Sequence, residues 1–168
     1  MDAQEKYAYK AAPDVVFAMF CDPEFLRAKF VATEAIEYDV VECAATPDGG
    51  FRIVTNRTVE ADIPGFAKKF FPRTSAMTQT EEWGAESGGI REGTWSIQPH
   101  GIPISVSTGG TTRLEPADGG AVQHIVAKIK VGVPLVGGKL ERFVYEQAKK
   151  TMDLEHEFGE KWLAEHPS

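Results

Sequence analysis

The chain has 168 residues, 42% of them hydrophobic and 26% charged, with a formal net charge of -7. That length suits one domain, spanning residues 1–168, that can bury a core without disulfides or metals. The acidic balance argues against a general nucleic-acid binder, which carries a basic face, and weakens the case for docking on anionic membranes.

The first six residues, Met1-Asp2-Ala3-Gln4-Glu5-Lys6, lack the basic start and apolar centre of a secretory signal. No apolar run reaches the roughly 18 residues that a membrane span needs. Cys21 and Cys43 show no metal-ligand or redox spacing, and two lone cysteines suit a reducing compartment. A cytoplasmic protein without stable membrane insertion is the expectation. His100, His124, His156 and His166 form no zinc spacing with one another or with either cysteine. No metal or other cofactor is therefore expected.

Residues 6–10 alternate polar and aromatic side chains, as a short first strand does. Pro13 and Asp14 open a helix with apolar Val16, Phe17, Met19 and Phe20. Asp22-Pro23-Glu24 is a second helix start, with aspartate as the N-cap and Phe25, Leu26 and Phe30 following. From Glu34 the period becomes two, and Thr46-Pro47-Asp48-Gly49-Gly50 marks a turn. Phe51, Ile53, Thr55, Arg57 and Val59 share one face of the next strand. Strand-like segments follow near 75–85, 89–98, 102–115 and 120–133, separated by Gly- and Pro-containing turns. Such spacing predicts an antiparallel meander. Residues 61–72 interrupt it as a short helical insertion or a lid.

The last element is predicted to begin at Pro134 and run to Trp162-Leu163. Val136, Leu140, Phe143, Gln147, Thr151, Leu154, Phe158 and Trp162 follow steps of three and four along one helical face. At 1.5 Å per residue this helix is roughly 45 Å long, enough to cross a whole sheet. A coiled coil is the alternative, but Gln147 and Thr151 interrupt the seam. The run from Gly132 to Lys139 lacks the spacing of a phosphate-binding loop, since Gly138 follows Gly137 and Leu140 stands in the Ser/Thr position. Gly137-Gly138 instead allow a close backbone approach.

Three segments carry a family likeness. They are Phe17-Ala18-Met19-Phe20-Cys21-Asp22-Pro23-Glu24-Phe25, Ile63-Pro64-Gly65-Phe66-Ala67-Lys68-Lys69, and Val133-Pro134-Leu135-Val136-Gly137-Gly138-Lys139-Leu140-Glu141. With this order of elements, the chain resembles the START and birch-pollen-allergen superfamily, also called SRPBCC. Within it, the chain resembles domain of unknown function 2505 over nearly its whole length. The resemblance implies an α+β helix-grip fold: a seven-stranded curved antiparallel sheet, two short N-terminal helices, and one long C-terminal helix packed across the sheet. It also implies an apolar cavity for lipids, sterols, polyketides or hormones. Superfamily members include carriers, sensors, aromatases or cyclases, and small regulatory proteins, so fold does not select an activity.

Within that frame, Arg57 has the strand parity of Phe51 and Ile53, and Glu81 that of Met77 and Trp83. If the hairpin between them is centred near Lys69, the two charges lie opposite each other inside the cup, as a polar anchor. A slip of one residue turns both toward water. Phe66 and Phe70 beside Lys68-Lys69 form either a lid or a core plug. His100, in the loop after the 89–98 strand, is expected with them at the mouth. Trp83, Trp95, Leu140, Phe143 and Phe158 are candidate walls, each with core packing as its ordinary role. The resulting reading is binding, carriage or sensing of a small hydrophobic molecule, lipid-like or polyketide-like. The alternatives are a polyketide cyclase or aromatase-like enzyme, for which no catalytic constellation is recognisable, and a regulatory protein-interaction module without a ligand.

Overall fold

In the computed structural model, which describes residues 1–167, the alternating segments become seven strands. They are β1 (Asp2–Tyr9), β2 (Glu37–Ala45), β3 (Phe51–Glu60), β4 (Thr74–Trp83), β5 (Arg91–His100), β6 (Val106–Ala117) and β7 (Gly120–Val131). The helices are α1 (Pro13–Phe20), α2 (Pro23–Ala32) and α3 (Gly137–Glu165), with a 3-10 turn at Gly65–Ala67. β2 to β7 form an antiparallel meander, and β1 pairs with β7, giving the order β1-β7-β6-β5-β4-β3-β2. This is the helix-grip architecture: a curved sheet, two short helices after its first strand, and one long helix laid across it.

Local chemistry sets the helix starts. Asp22 is extended, and its side chain accepts a hydrogen bond from the Glu24 N–H at 2.9 Å, satisfying one of the free donors at the start of α2. α2 then buries Phe25, Leu26 and Phe30. α3 starts three residues later than the sequence predicts. Leu135 has φ +70° and is fully exposed, a left-handed conformation that interrupts a right-handed helix. Gly137 opens the helix where a Cβ would lie 2.9 Å from the Val131 carbonyl oxygen. At 1.5 Å per residue α3 is roughly 44 Å long.

Two apolar clusters anchor α3 at its ends. Near its C-terminal half, Tyr9, Val16, Phe17, Trp83 and Leu114 pack with Phe158 and Trp162. Near its start, Ala67, Val131, Leu140 and Phe143 pack with Ile63, Phe70 and Phe71. Phe143 and Phe158 are thus roughly 22 Å apart along the helix axis. Residues 61–73 include the short helical insertion and pack at this end through Ala67, which is buried, and Phe71, whose ring lies 5.6 Å from that of Phe143, while Ile63 and Phe71 also border the cavity. Glu141 is buried here too, accepting hydrogen bonds from the Val131 N–H at 3.1 Å and the Met1 ammonium at 3.0 Å.

Candidate functional site

Between the two clusters, α3 stands away from the sheet and leaves a cavity of about 740 Å³, within the range that holds a drug-sized ligand. Strand parity selects its walls, since alternate side chains face the same side of a sheet. Arg57 and Val59 come from β3, Met77, Gln79 and Glu81 from β4, and Trp95 and Ile97 from β5. Thr108 and Thr112 of β6 and Gln123 and Ile125 of β7 continue the wall to Tyr7 and Tyr9 of β1. Leu26 and Lys29 of α2, with Phe143, Gln147, Thr151 and Glu155 of α3, close the other side.

A glycine shapes the middle of the wall. Gly110 has the inward parity of Thr108 and Thr112, and a Cβ there would sit 1.8 Å from the Val126 carbonyl oxygen. Trp95 pairs with Gly110 across the ladder and donates its indole N–H to that same Val126 oxygen at 3.2 Å. The missing side chain lets the indole lie across β6 to reach β7.

The cavity carries charge as well as apolar surface. Arg57 is only 8% exposed; its Nη1 donates to Gln79 Oε1 at 2.8 Å, and its guanidinium carbon lies 5.9 Å from the Phe30 ring centre. Burial lowers its pKa from the ordinary value, with Glu155 and Glu81 opposing. Lys29, 9% exposed, has Nζ 3.8 Å from Glu155 Oε2 and 5.3 Å from the Phe30 ring centre. Burial pushes the Glu81 carboxyl up, toward its neutral form; Lys29 and Arg57 oppose this and Glu155 reinforces it. The Trp83 indole N–H lies near enough to favour the charged form of Glu81, yet it is buried without a hydrogen bond of normal geometry. Burial, and then Glu155, push the Tyr9 hydroxyl up as well.

Of the residues singled out in the sequence, Arg57, Met77, Glu81, Trp95 and Phe143 line this cavity. Arg57 and Glu81 are not opposite each other: Arg57 pairs with Met77, and Glu81 with Ile53. The hairpin is centred on Ala67, two residues before Lys69, so both charges keep their inward parity but sit apart along the strands. The other candidates lie elsewhere. Leu140 is fully buried in the cluster at the start of α3, and Phe70 packs against that cluster. Trp83 is in the opposite cluster, 5.4 Å from the Phe17 ring, and Phe158 stacks on Phe25 at 5.7 Å. Phe66 is exposed, with Lys139 Nζ 4.1 Å above its ring. His100 ends β5 instead of occupying a loop; alternation turns it outward, where its Nε2 lies 2.8 Å from Thr78 Oγ1.

Sequence reasoning missed Lys29, Gln79 and Glu155. Two of these carried a signal. Lys29 lies four residues after Phe25 on the buried face of α2, and Gln79 has the parity of Met77 and Glu81. Glu155 follows Thr151 by one helical turn, but an acidic residue on a charged helix gave no reason to turn it inward.

Cys43 donates its thiol hydrogen to the Cys21 carbonyl oxygen at 3.1 Å. Burial is the main cause that pushes the Cys21 thiol up to about 12 and the Cys43 thiol upward. Among the described residues, no three His, Cys, Asp or Glu side chains gather as a metal site, and no helix is long and apolar enough to cross a membrane.

The sequence profile of a family described as protein of unknown function, DUF2505, matches residues 5–163. Uncharacterised proteins of Mycobacterium tuberculosis and Mycobacterium bovis are 26% identical over 162 residues, which cover 92% of this chain and 92% of each relative. Among solved structures, TTHA0849 from Thermus thermophilus aligns over 100% of both chains with 16% identity and a TM-score of 0.67. The crystal structure of Ara h 8.0201 aligns over 99% of both chains with 16% identity and a TM-score of 0.58. These likenesses establish the helix-grip fold.

Proposed function

We propose, for a chain that belongs to the DUF2505 family, that it binds a small hydrophobic molecule between the curved sheet and α3, and so carries or senses it. The observation that carries this reading is the cavity of about 740 Å³ whose walls include Ile97, Ile125, Met77 and Phe143. Removing apolar ligand surface from water contributes about 25 cal/mol per Å², so a largely apolar ligand draws most of its affinity from these walls. A cytoplasmic site of action accords with the two unpaired cysteines.

The test is direct titration with a neutral fluorescent probe, N-phenyl-1-naphthylamine. Wild-type protein should bind it saturably, and Ala148→Trp, which projects an indole into the cavity, should bind at least tenfold more weakly without losing its thermal midpoint. Absence of saturable binding by the wild type, or unchanged affinity in a folded Ala148→Trp variant, would sink the reading.

One observation favours a second reading, acid catalysis on a polyketide-like substrate. Glu81 lines the cavity, half-buried, and desolvation shifts its carboxyl toward the protonated form, the form a general acid needs. Ligand recovered after incubation with wild type and with Glu81→Gln would then differ in mass or retention. Identical, unaltered ligand from both excludes it.

A further inference from the structure

We infer that the ligand is a monoanionic amphiphile, a carboxylate on an apolar body, whose charged end docks at Arg57. This rests on the cavity being a ligand site and adds the chemical class of the occupant.

Arg57 is more than nine-tenths buried and lines the cavity. A guanidinium has five N–H donors, yet its hydrogen bond to another side chain is the single contact with Gln79 Oε1 at 2.8 Å. Among the described residues no carboxylate lies within 4.0 Å of it. A buried cation without a contacting carboxylate is costly, and Arg57 borders the cavity rather than the packed core. A planar carboxylate satisfies such a fork with two parallel hydrogen bonds.

The neighbouring charges leave this role open. Glu155 is engaged by Lys29 at 3.8 Å, and Lys29 is flanked by the Phe25 and Phe30 rings at 5.9 and 5.3 Å. Glu81 is displaced along the sheet, its backbone paired with Ile53 while that of Arg57 is paired with Met77. In its neutral form Glu81 would offer the ligand an O–H donor instead of competing for the guanidinium. With no carboxylate among the described residues in contact with the Arg57 guanidinium and Glu155 held by Lys29, a single carboxylate matches the open fork, and a dianionic phosphate would add a second negative charge beside Glu155 and Glu81. Beyond the anchor, Ile97, Ile125, Phe143 and Val144 provide apolar wall for the body of the molecule.

The probes are cis-parinaric acid and its methyl ester, which share a fluorescent polyene chain and differ by the charge at one end. Wild type should bind the acid at least tenfold more tightly than the ester at pH 7.5. Arg57→Gln, its fold checked by circular dichroism and thermal midpoint, should remove that preference while retaining ester binding. Equal affinity of wild type for acid and ester overturns the carboxylate inference and leaves the cavity reading standing. Binding of neither probe overturns both. A preference that survives in folded Arg57→Gln places the anchor elsewhere and overturns the role of Arg57. The acid and ester comparison on wild type needs no variant, so the inference stays testable if Arg57→Gln does not fold.

Discussion

Lys29 of α2 and Glu155 of α3 approach within 3.8 Å, joining two helices that both border the cavity. The lysine also lies over the Phe25 and Phe30 rings, so its stem is packed as well as its charge. Their side chains are 11% and 24% exposed, which places the pair between surface pairs of small value and buried pairs whose breakage is severe. Lys29→Met should therefore destabilise by about 1–2 kcal/mol, because it leaves Glu155 without its partner in a poorly solvated place. Lys29→Met combined with Glu155→Leu should recover part of that loss. Urea denaturation of the two single variants and the double variant measures the coupling, and an additive result would deny that the pair matters.

Gly110→Ala should be among the most damaging small substitutions in the sheet. The added methyl would meet a backbone carbonyl at 1.8 Å, and neither β6 nor β7 can yield without disturbing the Trp95 indole bond at 3.2 Å. Overpacking at fixed backbone costs about 1–3 kcal/mol or more, so the variant should lose at least that in chemical denaturation. A red shift of tryptophan emission should accompany it as Trp95 is displaced. Wild-type stability and emission would show that the strand has slack.

Glu141 predicts a pH dependence. Its pKa lies below the ordinary 4.5 because the Val131 N–H and then the chain's ammonium donate to its carboxylate. The folded state therefore holds its proton less tightly than the unfolded state. The stability it contributes is fully present above about 4.5 and disappears as pH falls through the lower folded value. Glu141→Gln should be less stable than wild type at pH 7 and should lose less stability on acidification below pH 4.5. Thermal midpoints from pH 2.5 to 7 measure this, and parallel curves would exclude Glu141 as a source of the acid dependence.

The fold was legible because its signals are local. Alternation in β3 and β5, glycine turns, the Asp22 cap and the stripe on α3 each depend on near neighbours. Two orientations of Arg57 and Glu81 were open from the sequence, since a slip of one residue turns both toward water; both line the cavity because the actual shift of register is even and preserves parity. Their mutual position was not legible, since it depends on how many residues the 3-10 turn at Gly65–Ala67 consumes between β3 and β4. Trp83, Leu140 and Phe158 have the same apolar signature as true wall residues; only the packing at the two ends of α3 assigns them to the core. His100 shows the opposite limit, because two residues more of β5 than the sequence predicts decide whether it belongs to a loop or to an outward-facing strand position. Lys29 was overlooked although its place one turn after Phe25 puts it on the buried face of α2, because its charge outweighs that position until Glu155 of α3 is placed beside it.

The position of β1 has a consequence for the order of assembly. Every other neighbouring pair in the sheet is consecutive in the chain, so each can form as soon as its hairpin exists. β1 must wait for β7, with Tyr9 meeting Ala121 and Asp2 meeting Lys128. Closing so long a loop carries an entropic cost that slows folding. During synthesis, the meander can therefore form while β1 still lacks its sheet partner. Because Tyr7 and Tyr9 of β1 line the cavity, its wall is complete only once β7 exists for β1 to pair with, so the first strand made is the one whose place depends on the last.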